Sequence, residues 1–187
     1  MMKLFFPILI LALATSCFPT SQDLSNLNPR FETTESSVLF FRNTRSVFYD
    51  FVEKPEASVE LFYPGKPTAS TDEPGYVWYL AYNRLQSKVM IFHDATPALL
   101  ADPCDKIVWH WKQPDGTTQV VATVECPALH PEENFEFLVR SYQQLNAERT
   151  PHIKTKSGQL KPLFPDKENK RRFLRLVRDY LEMVDLV

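Results

Sequence analysis

The sequence predicts an α+β fold, a largely antiparallel β-meander of about six to eight strands with two amphipathic helices in the C-terminal third. Three observations carry this expectation. Between Val38 and Glu125, short runs of apolar residues alternate with polar ones and are separated by turn residues. After Cys126 the apolar period lengthens from two towards four, and two stripes at helical spacing follow. Strands first and helices afterwards place the helices in a separate layer instead of between parallel strands. A small β-barrel closed by the C-terminal helix is the alternative architecture.

The chain opens with an export signal. Lys3 supplies a positive start, the eleven residues Leu4 to Ala14 are apolar, and the small residues Thr15 and Ser16 suit peptidase cleavage. The run is shorter than the roughly 18 apolar residues a membrane span requires, and it contains Pro7. Its end, Ala14-Thr15-Ser16-Cys17, resembles the lipobox of bacterial lipoproteins, with Ala14 where leucine is typical. The resemblance covers about a tenth of the chain and is silent on the globular part. It implies cleavage before Cys17, acylation of Cys17 by palmitate or a similar chain, and a mature protein held at a membrane. Phe18 stands where an aspartate commonly retains such proteins at the inner membrane, so the resemblance favours the outer membrane, facing the periplasm, in a Gram-negative source. An ordinary secretory signal is the alternative. The expected divisions are residues 1–16 as cleaved signal peptide, 17–36 as lipidated cysteine and flexible tether, and 37–187 as one globular domain.

Cysteine parity supports this scheme. The chain has three cysteines, an odd number for an exported protein, and acylation of Cys17 leaves Cys104 and Cys126 as an even pair. In an oxidising compartment a disulfide is the default for that pair.

The remaining elements follow in order. The polar stretch from Phe18 to Ser36 lacks amphipathic periodicity and reads as the tether. Val38 to Phe41 and Ser46 to Val52 are expected strands joined by Arg42-Asn43-Thr44-Arg45, and Ser58 to Tyr63 is a third. Pro64 to Gly75, with three prolines and two glycines, is a long loop and a candidate working surface. Tyr76 to Asn83 and Lys88 to His93 form a hairpin. Tyr76, Trp78, Leu80 and Tyr82 share one face of the first strand, which is either core packing or an aromatic platform of Tyr76, Trp78 and Tyr82 for a glycan.

Lys106 to Lys112 and Thr117 to Glu125 form a second hairpin around Gln113-Pro114-Asp115-Gly116, where Gly116 can take the left-handed conformation of a bulged three-residue loop. With Gln113 opposite Thr117, paired residue numbers sum to 230, which sets Cys104 opposite Cys126. The bond would close a 23-residue loop and, in the chain-entropy view, stabilise by about 3 kcal/mol.

Pro131 suits a first helical turn, Glu132, Glu133 and Glu136 complement the positive helix start, and Phe135, Leu138, Val139, Tyr142 and Leu145 make the apolar stripe. Thr150 to Phe164 is extended or a small hairpin about Ser157-Gly158. The terminal helix begins near Asp166, with Phe173, Leu176, Val177, Tyr180, Leu181 and Val184 as its buried face.

Several chemistries are excluded or weakened by composition. The four glycines lie at least ten residues apart, so neither glycine-rich nucleotide loop can be written. His93, His110, His130 and His152 are scattered, without a metal-ligand spacing, although His93-Asp94 with another histidine could converge in space. No nucleophile motif occurs, and carboxylates such as Asp50 and Glu53 are typical solvated surface. No catalytic residue, metal or cofactor is therefore expected.

Charge is the positive signal. Glu148 to Arg178 holds ten Lys or Arg against three acidic residues, whereas Phe18 to Ala147 holds ten basic and seventeen acidic. Lys167, Lys170, Arg171, Arg172, Arg175 and Arg178 form a candidate surface for an anionic partner, either lipid headgroups or an acidic envelope protein. Nucleic acid does not fit an exported chain without a binding motif. The expected function is a non-enzymatic, lipid-anchored interaction or assembly component of the cell envelope. A binding module for an envelope glycan or small ligand is the first alternative, and a periplasmic hydrolase the second.

Overall fold

The structure, a computed structural model, describes residues 27–65, 76–95, 107–112, 115–124, 131–147, 149–154, 159–164 and 166–187. Ordered packing starts earlier than composition implies. Leu27 and Phe31 pack against the core, Val89 N–H donates to Phe31 O at 2.8 Å, and Glu32 bridges Lys88. Residues 27–36 of the expected tether are thus part of the domain. Their apolar side chains are too few to show a period, yet enough to dock.

The expected strand Val38 to Phe41 is helical. Helix α1 (Glu35–Phe40) starts at a capping box, in which Thr34 Oγ1 accepts from Ser37 N–H at 3.1 Å and Ser37 Oγ from Thr34 N–H at 3.1 Å. Val38 and Phe41 are buried while Leu39 and Phe40 are exposed, which is helical spacing within an apolar run too short to reveal it. Phe41–Arg45 widens into a π-helical turn and Ser46–Phe48 tightens into a 3₁₀ turn. Thr44 Oγ1 donates to Phe40 O at 2.7 Å and Ser46 Oγ to Arg42 O at 2.6 Å, back-bonds of the kind that distort helices. Only the end of the second expected strand is extended, in β1 (Asp50–Lys54).

The first sheet is an antiparallel meander in the order β1, β2 (Val59–Tyr63), β3 (Tyr76–Asn83) and β4 (Lys88–Ala95). Trp78, Leu80 and Tyr82 of β3 and Val89 and Ile91 of β4 point into the core, as period-two alternation demands. The second sheet runs β6 (Thr118–Val124), β5 (Ile107–Lys112), β7 (Thr150–Lys154) and β8 (Leu160–Pro162), with antiparallel pairing throughout. Here β7 joins the free side of β5, so the meander order is broken by the excursion through α2 (Pro131–Asn146). The two sheets share no hydrogen-bonded strand pair among the described residues, and no barrel closes.

Helix α3 (Lys167–Met183) begins at Asp166, whose carboxylate accepts from Asn169 N–H at 2.7 Å. It covers β3 and β4 and packs on α2, which itself touches β4 and β7. Phe173, Leu176, Val177, Tyr180, Leu181 and Val184 are all buried. Trp78 is wedged between helices, 4.9 Å from the Phe173 ring and 6.4 Å from that of Phe137. Burying side chains of this size contributes about 1.5–3 kcal/mol each, which is why the two aromatic-rich layers hold together.

The second hairpin keeps its expected register only in part. Gly116 has φ of 85°, as its turn position demands, and the pairs from Lys112↔Thr118 to His110↔Val120 sum to 230. A bulge between Trp109 and His110 then shifts the register, giving Trp109↔Ala122 and Ile107↔Val124. The simple count that set Cys104 opposite Cys126 therefore ends at His110. Both cysteines, and Cys17, lie outside the described residues.

Candidate functional site

Away from the buried stripe of α3, the basic residues Lys167, Arg171 and Arg178 are exposed, while Lys170, Arg172 and Arg175 flank the stripe half-buried. Glu168 receives two of them, Arg171 at 2.7 Å and Arg172 at 3.3 Å, and its carboxylate is held below the usual range chiefly by the Arg171 hydrogen bond. Arg178 pairs with Glu182 at 2.9 Å. Lys167 and Lys170 have no ion pair among the described residues. Arg175 is used differently, its guanidinium carbon standing 4.3 Å from the centroid of the Phe48 ring.

Arg172 ties this helix to the long loop after β2. Gly65 has φ of 122°, and a Cβ built on it would lie 2.6 Å from Arg172 Nη1. The backbone conformation favours glycine there, and a Cβ would in addition make the Arg172 guanidinium move aside. The start of the loop from Pro64 to Gly75 therefore adjoins the basic face, two surfaces that the sequence presented separately. Residues 66–75 of that loop lie outside the described residues.

Beneath the arginines is a buried polar cluster. Tyr49 Oη donates to Asp179 Oδ2 at 2.6 Å, and Asp179 is only 1% exposed. Arg45 reaches the cluster from the π-helical turn, with Nε 3.6 Å from Asp179 Oδ1 and Nη2 3.3 Å from Glu182. Burial raises the Asp179 carboxyl above its ordinary pKa despite the Tyr49 hydrogen bond and the Arg45 charge, which oppose it. Burial, followed by the charge of Asp179, drives the Tyr49 hydroxyl upwards as well. On the neighbouring strand, Arg42 makes a forked pair with the buried Glu60 at 2.8 and 2.7 Å, and Arg84 links Glu60 and Glu53 at 3.6 and 2.9 Å.

These pairs share an asymmetry. The Arg42 side chain is 44% exposed and Glu60 7%; for Arg45 and Asp179 the values are 28% and 1%. The carboxylates lie underneath and the guanidinium groups face water. Exposed apolar side chains accompany them, for Leu39, Phe40, Val47, Phe48 and Phe51 make up five of the nine large exposed apolar residues among those described. Arg45 lies 5.9 Å from the Phe40 ring and Arg175 covers Phe48, while Arg175, Asp179 and Glu182 share one helical face of α3. Phe40, Arg45, Phe48 and Arg175 accordingly follow one side of that helix. Arg42, Arg45, Tyr49, Phe40 and Phe48 were missed in the sequence because their segment reads as strand and turn. The signal that could have found them is Thr34-x-x-Ser37 ahead of a buried i, i+3 pair, Val38 and Phe41.

The aromatic row does not form a platform. Trp78 and Tyr82 are buried, and Tyr76 is half-buried against the core with its ring 5.7 Å from Trp78. Helix α3 covers the face a sugar would need, so the glycan alternative loses the surface it rested on.

The histidines are also placed. His93 lies on the core face of β4, and burial lowers its pKa to about 4. Asp94 takes the opposite face by strand alternation, so the two cannot ligate one ion together. The register sets His110 opposite His152, a juxtaposition the sequence did not show, and His130 lies outside the described residues. Among the described residues no group of three histidine, cysteine or acidic side chains could hold a metal ion. No helix among them is long and apolar enough to cross a membrane. Asp50 and Glu53 fall on opposite faces of β1, and Glu53 is engaged by Arg84.

Comparison of the chain with protein-family models, with curated proteins and with solved structures finds no match.

Proposed function

We propose that this chain is an exported, lipid-anchored interaction component of the cell envelope, held through Cys17 and acting by binding instead of catalysis. The lipobox-like Ala14-Thr15-Ser16-Cys17 supports the anchor, and Phe18 after the cysteine favours the outer membrane in a Gram-negative source. The observation that carries the binding role is the cationic surface of α3, exposed at Lys167, Arg171 and Arg178 and half-exposed at Lys170, Arg172 and Arg175. Lys167 and Lys170 stand without ion pairs among the described residues, and Arg171 and Arg172 share the single carboxylate of Glu168. Such a surplus of positive charge suits an acidic protein surface in the envelope and gives salt-sensitive association.

The test is affinity capture from detergent-solubilised membranes, comparing the wild type with the triple variant Lys170→Glu, Arg171→Glu, Arg172→Glu. The wild type should retain a stoichiometric partner that about 0.5 M salt releases, because exposed charges at that ionic strength are screened within a few ångströms. The variant should retain none of it. Recovery of the same partner by both proteins would overturn the proposal.

A further inference from the structure

The apolar segment on the flank of α3 asks for a different occupant from the lysine-rich stripe. Val47 is 75% exposed, Leu39 57%, Phe51 53%, Phe40 49% and Phe48 46%. From Leu39 to Tyr49 the chain contains Arg42 and Arg45 and no carboxylate. The acids that balance these arginines, Glu60, Asp179 and Glu182, lie beneath them. The outward surface is therefore mainly aromatic, aliphatic and guanidinium, with Glu35 one turn before Leu39 and Glu53, paired with Arg84, beside Phe51. That mixture suits the boundary between anionic headgroups and acyl chains, where apolar side chains sink in and arginines meet phosphate.

The path of the chain agrees with this occupant. Tyr180 Oη donates to Arg30 O at 2.6 Å and Ser37 Oγ to Met183 O at 2.7 Å, so the N-terminal segment meets α3 at its C-terminal end. Asp179 and Glu182, which hold Arg45, belong to that same end. Leu27 comes ten residues after Cys17, and a chain of that length spans at most about 35 Å. An anchor at Cys17 holds Leu27, on this flank of the domain, within about 35 Å of the bilayer.

We infer that the surface formed by Leu39, Phe40, Val47, Phe48 and Phe51 with Arg45 and Arg175 docks onto the anionic lipid surface of the membrane that carries the anchor. Docking there orients the domain and leaves Lys167 to Arg172 and Gly65, nearer the other end of α3, for the acidic partner. This inference rests on the lipid-anchored reading of Cys17, but its test does not.

The full chain carrying Cys17→Ser, which cannot be acylated at that position, is mixed with vesicles containing about 30 mol% phosphatidylglycerol in phosphatidylcholine, a composition that supplies the negative surface potential at issue. The same chain with Val47→Asp and Phe48→Ser is compared with it, and any contribution of the signal segment is common to both. The patch variant should partition at least about tenfold more weakly, and the difference should shrink on phosphatidylcholine alone. The patch variant should lose only the small stabilisation of the Phe48–Arg175 contact, and an unchanged circular dichroism spectrum verifies that both chains are folded. Equal partition of the two chains would overturn the inference. So would sedimentation showing a dimer that the same two substitutions dissolve, because a second copy would then occupy the surface. Mass analysis of acylation in the wild type is separate: its failure removes the anchor and leaves the vesicle comparison standing.

Discussion

Replacing His93 by phenylalanine should remove a defined part of the acid sensitivity of this fold. His93 is directly opposite Trp78 across the β3–β4 ladder, with its ring 4.9 Å from the indole and 5.5 Å from the Tyr76 ring. Burial alone lowers its pKa from 6.5 to about 4. Between those values the unfolded chain takes up a proton that the folded chain refuses, so stability falls as pH drops through the window. From pH 7.5 to 4.5 the linkage amounts to about 2.5 kcal/mol for this group. Phenylalanine has a similar ring and no proton to bind. Urea unfolding of both proteins at the two pH values is the assay, since carboxylates common to both cancel in the difference. The wild type should lose about 2.5 kcal/mol more than His93→Phe on acidification. A difference below about 0.5 kcal/mol, or an imidazole that titrates near 6.5 by NMR in the folded protein, would refute the reasoning.

The other expectations concern the junctions described above. Tyr49→Phe removes the only hydrogen bond to the buried Asp179 carboxylate among the described residues and should cost about 1.5–3 kcal/mol near pH 7. Because burial raises the Asp179 pKa, that cost should shrink on acidification as the carboxylate protonates; a loss independent of pH would count against an ionised Asp179. Gly65→Ala should destabilise by about 1–2 kcal/mol, and adding Arg172→Ala should recover the part due to the guanidinium but not the part due to φ; full recovery in calorimetry would show that the backbone carries no strain. Cys17→Ser should abolish acylation and leave a bond between Cys104 and Cys126 intact by non-reducing peptide mapping, whereas free thiols at both positions would sink the pairing.

Much of the fold was legible because its signals are local. Alternation over a few residues marks β2, β3 and β4, Gly116 marks the second hairpin, and Asp166 with the Phe173 to Val184 stripe marks α3. These devices act within one turn or one strand, so a single sequence displays them. Where the apolar run was barely one helical turn long, as from Val38 to Phe41, strand and helix looked alike, and the capping hydroxyls of Thr34 and Ser37 decided the matter.

The site is a different case. By itself the sequence determined that positive charge gathers near the C-terminus and that aromatic residues line one face of β3. It could not say which of the two was surface. Tertiary structure decided that when α3 lay over Trp78 and Tyr82, burying the aromatic row and turning Lys167, Arg171 and Arg178 outwards. The same docking joined Tyr49 to Asp179 across 130 residues, set Arg172 against Gly65 and left Phe48 half-exposed beneath Arg175. Periodicity reports which side chains share a face; burial depends on which distant element covers that face, and no short stretch of chain contains that information.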